Sequence, residues 1–207
     1  DGEARQRVRL LTPLIKFRAC RDARRATGDA MEVRGGVGYT EEWSDSRLLR
    51  DAHLGSIWEG TSNIVALDVL RAIRREHCLE ALLPELNERI ERAPRLLAGR
   101  LAASLDKAAE FAHEVASSGA EAHARQAASG LYYACAAALL ADEGTRLGER
   151  GDARRQLIAF LAYVHRLAPR DPLRRVTTGF EAEFAAALLP ETPIAPDAAE
   201  RILTRLA

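Results

Sequence analysis

Apolar residues recur at steps of three and four along most of this chain. In an α-helix that spacing places them on one face, whereas strands need alternating apolar and polar residues, and such runs are absent. The pattern predicts an all-α helical bundle. Its clearest segment is a first helix that ends at the glycine pair Gly35 and Gly36, with an apolar face of Val8, Leu11, Ile15, Ala19, Ala23, Ala26, Ala30 and Val33.

Capping residues and prolines divide the chain into further predicted helices. Thr12 and Pro13 could alternatively begin a helix, with threonine as the N-cap and proline at the first helical position. Thr61 or Ser62 is expected to cap a long helix that runs to about Cys78. Other predicted helices cover about 44–51, a segment after Pro84 to 91, 94–117, 120–147, 153–167, 177–189 and 197–206.

The composition narrows the classes of protein to which the chain could belong. Its 207 residues include 30 basic and 30 acidic side chains. That balance argues against a protein whose main task is to neutralise phosphates. A local basic face remains possible, because 28 of the 30 basic residues are arginine. No apolar run reaches the roughly 18 residues of a membrane span, and no secretory signal opens the chain.

The cysteines indicate the cellular setting. Cys20, Cys78 and Cys135 are far apart and odd in number, which suits neither a disulfide framework nor a metal site. We therefore expect a cytoplasmic protein with reduced thiols and no bound metal. The chain begins with Asp1 and its only methionine is Met31, so we expect it to start partway into a longer gene product.

One carboxylate lies directly before a predicted helix N-terminus, in the stretch IWEGTSNIVALDVLR at residues 57–71. Glu59 follows Trp58, whose ring could shield the carboxylate from water. The first N–H groups of a helix lack partners within it and attract anions. From these residues alone, Glu59 could be a solvated surface charge, a partner of the helix dipole, or a base beside a ligand.

A second motif is glycine-rich: MEVRGGVGYTEEW, residues 31–43. Gly35, Gly36 and Gly38 would allow close approach of the backbone to a ligand. A dinucleotide-binding fingerprint is excluded, because these glycines follow a helix rather than a strand and Glu41 stands where the third glycine is required. By itself the motif indicates a helix end followed by a turn.

The two motifs together, in this order and separation, resemble the C-terminal helical domain of the acyl-CoA dehydrogenase flavoprotein family. The segments LLTPLIKFRACRDARRATGDAMEVRGG and WEGTSNIVALDVLRAI are most similar to the branch that contains the DNA-alkylation-response flavoproteins. The resemblance is dense over residues 8–75. It assigns residues 1–80 to part of that domain and 81–207 to a helical C-terminal extension, with the N-terminal α and middle β domains absent from this chain.

The resemblance implies an FAD-dependent oxidoreductase of fatty acid metabolism. Glu59 matches the base that removes the α-proton of an acyl-CoA thioester while the β-hydrogen leaves as hydride to the flavin. Gly60 matches the position whose backbone lies against the substrate. Some family members place the base on another helix, which would precede Asp1. An electron-transfer flavoprotein or similar acceptor is the implied partner.

The resemblance also implies how FAD is held. Thr61, Ser62 and Asn63 match the segment at the phosphate-bearing portion of FAD. A second segment contacts the adenine dinucleotide part, typically of a FAD bound by a neighbouring subunit, so a homo-oligomer, tetramer or dimer, is implied. That segment is Glu32, Val33, Arg34, Gly35 and Gly36, in which Glu32 and Arg34 replace the glutamine and histidine frequent in the family; Glu32 would repel the diphosphate and Arg34 attract it.

Two alternative functions remain at this stage. The chain could belong to a DNA-associated alkylation-response flavoprotein with weak or no dehydrogenase activity, which uses a basic face to bind nucleic acid. It could also be a helical oligomerisation module without chemistry. In either case we expect these 207 residues on their own to bind FAD poorly and to show no turnover.

Overall fold

The computed structural model describes residues 2–168 and 180–206, and within them every regular element is helical and no strand occurs. This confirms the all-α prediction. The helices are α1 (Gly2–Val33), α2 (Gly36–Tyr39), α3 (Asp45–Gly55), α4 (Ser62–Glu76), α5 (Cys78–Glu91), α6 (Arg95–Ser118), α7 (Ala124–Gly148), α8 (Arg154–Ala162), α9 (Phe180–Leu188) and α10 (Pro196–Leu206). A 3₁₀ turn (Glu121–His123) precedes α7, and a π-helical turn (Tyr163–Leu167) follows α8.

Two prolines lie inside helices, contrary to part of the prediction. Pro13 is within α1, so the alternative in which Thr12 caps a new helix is wrong. Pro84 is within α5, which begins at Cys78 rather than after the proline. One face of α5 is buried, with Leu79, Leu82, Leu86 and Ile90 at most 4% exposed, and this packing outweighs the helix-breaking tendency of proline.

The predicted helix at 177–189 lies partly outside the described residues. Its described part is α9, which begins at Phe180. Between α4 and α5, His77 adopts a left-handed backbone with φ of 51°. This conformation ends α4 at Glu76, two residues before the predicted end at about Cys78. The next helix, α5, then starts at Cys78.

The first of two compact units comprises residues 2–81 together with 111–132. Its frame is the long helix α1, which packs against α3 and α4. From α1 the buried apolar residues are Leu10, Leu14 and Phe17, and α4 contributes Val69 and Ile73 among others. This frame fixes the loop between α3 and α4, which carries Glu59.

The second compact unit comprises residues 82–110 and the described residues from 133 onwards. Its interior is rich in leucine and alanine and also contains Asp142, whose side chain is 1% exposed. The Asp142 carboxylate accepts hydrogen bonds from Arg89 Nη1 at 3.0 Å and Arg92 Nε at 2.8 Å, with Arg146 Nε at 3.5 Å. The division of the chain into domains at residue 80 stays a prediction.

The described residues contain no disulfide, no metal-binding cluster and no membrane-spanning helix. All three cysteines are free, and burial raises the pKa of the Cys135 thiol to about 12. Among residues 2–168 and 180–206, no cluster of three His, Cys, Asp or Glu side chains could hold a metal ion. In the same residues no helix has both the length and the apolar character needed to cross a bilayer.

Candidate active site

The loop between α3 and α4 carries Glu59 on a strained backbone. The N–H groups of Ile57 and Trp58 both donate to the Leu54 carbonyl, at 2.9 and 3.1 Å, and so close the end of α3. The next two residues have positive φ angles, 50° at Glu59 and 106° at Gly60. For a residue with a Cβ atom this conformation costs roughly 1–2 kcal/mol, and such strain is concentrated at functional sites.

The Glu59 carboxylate faces outward from the chain. Its side chain is 82% exposed, and the Trp58 residue before it is 58% exposed. The shielding expected from the Trp58 ring is therefore not seen within the described residues. The cation next to the carboxylate is Lys16, whose Nζ lies 4.0 Å from Oε2, and this Nζ donates at 2.7 Å to the Trp58 carbonyl oxygen.

A cleft of about 700 Å³ runs between α1 and α4 next to Glu59. Arg9 joins the two helices there, with its guanidinium 2.8 and 3.0 Å from the Asp68 carboxylate oxygens and 2.9 Å from Glu76 Oε1. The hydrogen bond with Asp68 raises the pKa of Arg9. The lining combines apolar Val8, Pro13, Ile64, Val65 and Leu67 with polar and charged Arg5, Arg9, Thr12, Lys16, Asp68 and Arg71.

The start of α4 leaves backbone donors open. Of the two predicted caps, Thr61 rather than Ser62 is the N-cap residue, but its side chain makes no capping hydrogen bond. Ser62 is the first helical residue, and its hydroxyl accepts from Arg21 Nη1 at 3.5 Å. Desolvation lowers the pKa of Arg21, and the positive charges of Arg125, Arg18 and Arg24 lower it further. The combination of open N–H groups and arginines is positive and suits an anion.

Two neighbours of Thr61 complete this end of α4. A Cβ atom at Gly60 would lie 3.3 Å from Val65 Cγ2, so the glycine provides close packing as well as its positive φ. Asn63 is exposed and lines a cavity of about 510 Å³ with Leu67, Glu121, Ala122, Ala124 and Arg125.

The glycine-rich segment forms the end of α1 and the turn into α2. Glu32, Val33, Gly35 and Gly36 are exposed, and Gly35 has a φ of 62°. Arg34 has two partners in the same chain. Its Nε lies 3.3 Å from Asp45 Oδ2, and its guanidinium lies over the Trp43 ring, 5.0 Å from the ring centroid. The Arg34 charge is thus partly neutralised.

The two predicted groups of site residues do not form one pocket in this chain. Lys16 contacts the Glu59 loop, and Glu32 lies sixteen residues further along α1, about 24 Å away at 1.5 Å per residue. Sequence reasoning missed Lys16 and Arg21, which reach the loop from α1. The one sequence signal for Lys16 is that lysine is rare in a chain whose basic residues are almost all arginine.

Comparison with known proteins identifies a similarity over the first part of the chain. Residues 2–74, about a third of the chain, match the family described as "Acyl-CoA dehydrogenase, C-terminal domain". This all-α segment, which carries a carboxylate on a strained loop beside a cleft, is therefore similar to the C-terminal domain of acyl-CoA dehydrogenases.

Two curated proteins are similar to the chain over a comparable length. "Putative acyl-CoA dehydrogenase AidB" of Escherichia coli (strain K12) is 45% identical over 78 residues, which are 38% of this chain and 14% of AidB. "Acyl-CoA dehydrogenase family member 11" of Caenorhabditis elegans is 39% identical over 84 residues, 41% of this chain and 13% of that protein.

A solved structure resembles nearly the whole chain. It is the crystal structure of Caenorhabditis elegans ACDH-11 in complex with C11-CoA, with a TM-score of 0.64 and 26% identity over 93% of this chain and 34% of that one. The chain thus spans about a third of the length of this relative, and its matches to the two curated relatives span about a seventh of theirs.

Proposed function

We propose that this chain is the C-terminal part of an FAD-dependent acyl-CoA dehydrogenase of fatty acid metabolism, in which Glu59 removes the α-proton of an acyl-CoA thioester. The observation that carries the proposal is the outward carboxylate of Glu59 on a strained loop beside a cleft. That loop lies in the segment that matches the acyl-CoA dehydrogenase family.

The chain's own residues account for several parts of this chemistry. The carboxylate of Glu59 would accept the α-proton on one of its oxygens, which requires hydrogen-bond reach and the correct orientation. Because the Glu59 side chain is exposed here, the bound thioester would itself exclude water from it. Gly60 has no side chain that could block the thioester. Its φ of 106° lets the chain turn between Glu59 and the start of α4.

The start of α4 fits the phosphate-bearing part of FAD. Its open N–H groups, the hydroxyls of Thr61 and Ser62, the amide of Asn63 and the nearby Arg21 are a donor set that suits a diphosphate. When bound, FAD supplies the acceptor for the hydride that leaves the β-carbon. The donors of this chain hold and orient the cofactor, and Glu59 holds the proton.

The partners are part of the same proposal. The exposed residues Glu32, Val33, Gly35 and Gly36 would face the adenine dinucleotide part of a FAD bound by a neighbouring subunit, in a tetramer or dimer. These residues lie far along α1 from the Glu59 loop. That distance supports their contact with a different FAD molecule from the one at the start of α4. An electron-transfer flavoprotein or similar acceptor would reoxidise the enzyme.

A substitution in the full-length gene product tests the role of Glu59. Glu59→Gln keeps the size of the side chain and removes its basicity, so kcat should fall by about 10²–10⁴-fold while FAD content stays at the wild-type level. Glu110→Gln, an exposed glutamate on α6, is the matched control and should keep full turnover. Unchanged turnover of Glu59→Gln would show that another residue is the base.

One observation favours the second candidate, a DNA-associated flavoprotein with weak or no dehydrogenase activity. A cavity of about 380 Å³ beside α1 has four basic residues and one acidic residue in its lining, together with His53: Arg18, Arg21, Arg24, Arg25 and Asp22. If this face binds nucleic acid, a gel-shift titration should show affinity that falls with salt, with a log–log slope of about −0.9 per phosphate contacted. A slope near zero excludes this candidate.

A further inference from the structure

We infer that Lys16 is a positioning residue for the Glu59 loop, and that it acts through the Trp58 carbonyl rather than through the Glu59 carboxylate. The inference rests on the proposed role of Glu59. Lys16 lies near the middle of α1, and Trp58 is the residue directly before Glu59.

The distances distinguish the two possible partners of the Lys16 ammonium. Nζ donates to the Trp58 carbonyl oxygen at 2.7 Å, which is short for a bond from nitrogen and characteristic of a charged donor. The distance from Nζ to Glu59 Oε2 is 4.0 Å, beyond hydrogen-bond range. The ammonium therefore fixes the peptide unit that precedes Glu59 and leaves the carboxylate oxygens free to accept a proton.

Lys16 is itself well supported. Its side chain is 23% exposed, and its neighbours Leu14 and Phe17 are buried. The four-carbon stem can lie along apolar surface while the compact ammonium reaches a single carbonyl. A guanidinium is planar and suited to forked acceptors, which gives a reason for one of the chain's two lysines at this position.

Three side chains of α1 donate hydrogen bonds to the loop or to its two ends, and Lys16 bonds to the middle of the loop. Arg24 Nη1 donates to the Ser56 hydroxyl at 3.2 Å before Trp58, and Arg21 Nη1 donates to the Ser62 hydroxyl at 3.5 Å after Gly60. Lys16 makes the shortest of the three bonds and the one next to Glu59. The strained backbone of Glu59, with φ of 50°, persists only if its surroundings fix it, and the Lys16 bond provides that constraint.

The structural test uses NMR on this chain. In Lys16→Met, we expect amide hydrogen exchange at Glu59 and Gly60 to accelerate about tenfold, because a charged hydrogen bond is lost locally. The intraresidue NOE between the amide proton and Hα of Glu59, which is strongest where φ is positive, should weaken as the backbone leaves its φ of 50°. Lys16→Arg should keep most of the protection. Lys107→Met, an exposed lysine on α6, is the matched control and should change neither quantity.

The functional test uses the full-length gene product with FAD bound. Lys16→Met should lower kcat about tenfold to a hundredfold with KM nearly unchanged, since misplacement of a base affects the chemical step. Lys16→Arg should recover part of the loss. A general loss of structure would instead lower FAD content as well, and should Lys16→Met fail to fold, Lys16→Gln carries both tests.

The outcomes separate this inference from the proposed function. Full turnover of Glu59→Gln defeats the proposed role of Glu59, whereas the exchange and NOE measurements still decide whether Lys16 fixes the loop. If Glu59→Gln loses turnover and Lys16→Met keeps wild-type exchange, NOE intensity and kcat, the inference about Lys16 is overturned.

Discussion

Two acids in the two compact units show how differently this chain uses carboxylates. Asp142, in the second unit, is 1% exposed and is surrounded by the guanidinium groups of Arg89, Arg92 and Arg146. Glu59, in the first unit, is 82% exposed, with Lys16 Nζ 4.0 Å away. The buried acid is fully committed to its partners and serves the fold. The exposed acid makes no close bond to its cation and is available to a ligand.

Large apolar side chains, like the two acids, are more exposed in the first unit than in the second. Among the exposed large apolar residues of the described chain, Leu139 and Leu189 belong to the second unit, and all others lie between Val8 and Ile64. That stretch falls within the segment that matches the family. The first unit therefore exposes most of the large apolar side chains that are exposed in the described residues, whereas the second unit exposes two of them.

The largest expected effect is the loss of unfolding free energy when a buried apolar side chain of the second unit is truncated. Leu101→Ala removes a side chain that is 1% exposed, in the second unit, and should cost about 3 kcal/mol of unfolding free energy. Ile57→Ala removes an exposed side chain in the loop and should cost less than about 0.5 kcal/mol. Urea denaturation of both variants measures the difference, and equal losses would contradict the contrast between the units.

A smaller effect is expected from Asp142. Burial alone would raise the pKa of this carboxyl, but hydrogen bonds from Arg92 and Arg89 outweigh burial and hold its pKa below the ordinary value. Asp142→Asn should cost about 2 kcal/mol at pH 7, less than for a fully buried pair because the arginines are partly exposed.

The pH dependence of that loss follows from the direction of the pKa shift. A lowered pKa stabilises the fold above the unfolded value of about 3.9, and the stabilisation is lost as pH falls through the folded value. The gap between wild type and Asp142→Asn should therefore be widest near neutral pH and should narrow below about pH 4. Asp106→Asn, at an exposed position on α6, is the matched control and should change the unfolding free energy only slightly. A gap that stays constant to pH 2 would contradict the account.

The smallest effect concerns the loop backbone. Gly60→Ala places a Cβ atom at a φ of 106° and 3.3 Å from Val65 Cγ2, and should destabilise the chain by about 1 kcal/mol. Gly99 lies inside α6 with nothing near an added Cβ, so Gly99→Ala should stabilise by about 0.5–1 kcal/mol. Thermal unfolding should give shifts of opposite sign, and shifts of the same sign would show that Gly60 is unstrained.

Local sequence pattern predicted where α1 ends and where α4 begins, because a glycine pair and a capping residue mark those positions. The apolar face predicted for α1 is wrong: Val8, Ile15 and Val33 are 63%, 55% and 87% exposed, and the helix buries Leu10, Leu14 and Phe17 instead. The failure at Pro84 has a tertiary cause, because the buried face of α5 outweighs the cost of a proline in the helix.

The candidate site was only partly predictable for a similar reason. Glu59 and Gly60 were predicted as candidates from their place before a capped helix and from the family resemblance, and their roles stay predictions. The bond from Lys16 to Trp58 joins residues 42 positions apart, and no local pattern contains such a contact. The exposure of Glu59 likewise depends on what packs around the loop, which neighbouring residues in the sequence do not determine.

The most direct test of the central claim is a crystal structure of the full-length gene product with FAD and an unreactive acyl-CoA analogue. The account predicts a Glu59 carboxylate oxygen about 3–3.5 Å from the α-carbon, on the opposite side of the thioester from the isoalloxazine ring. A Glu59 side chain that faces bulk solvent, far from both substrate and flavin, would contradict it.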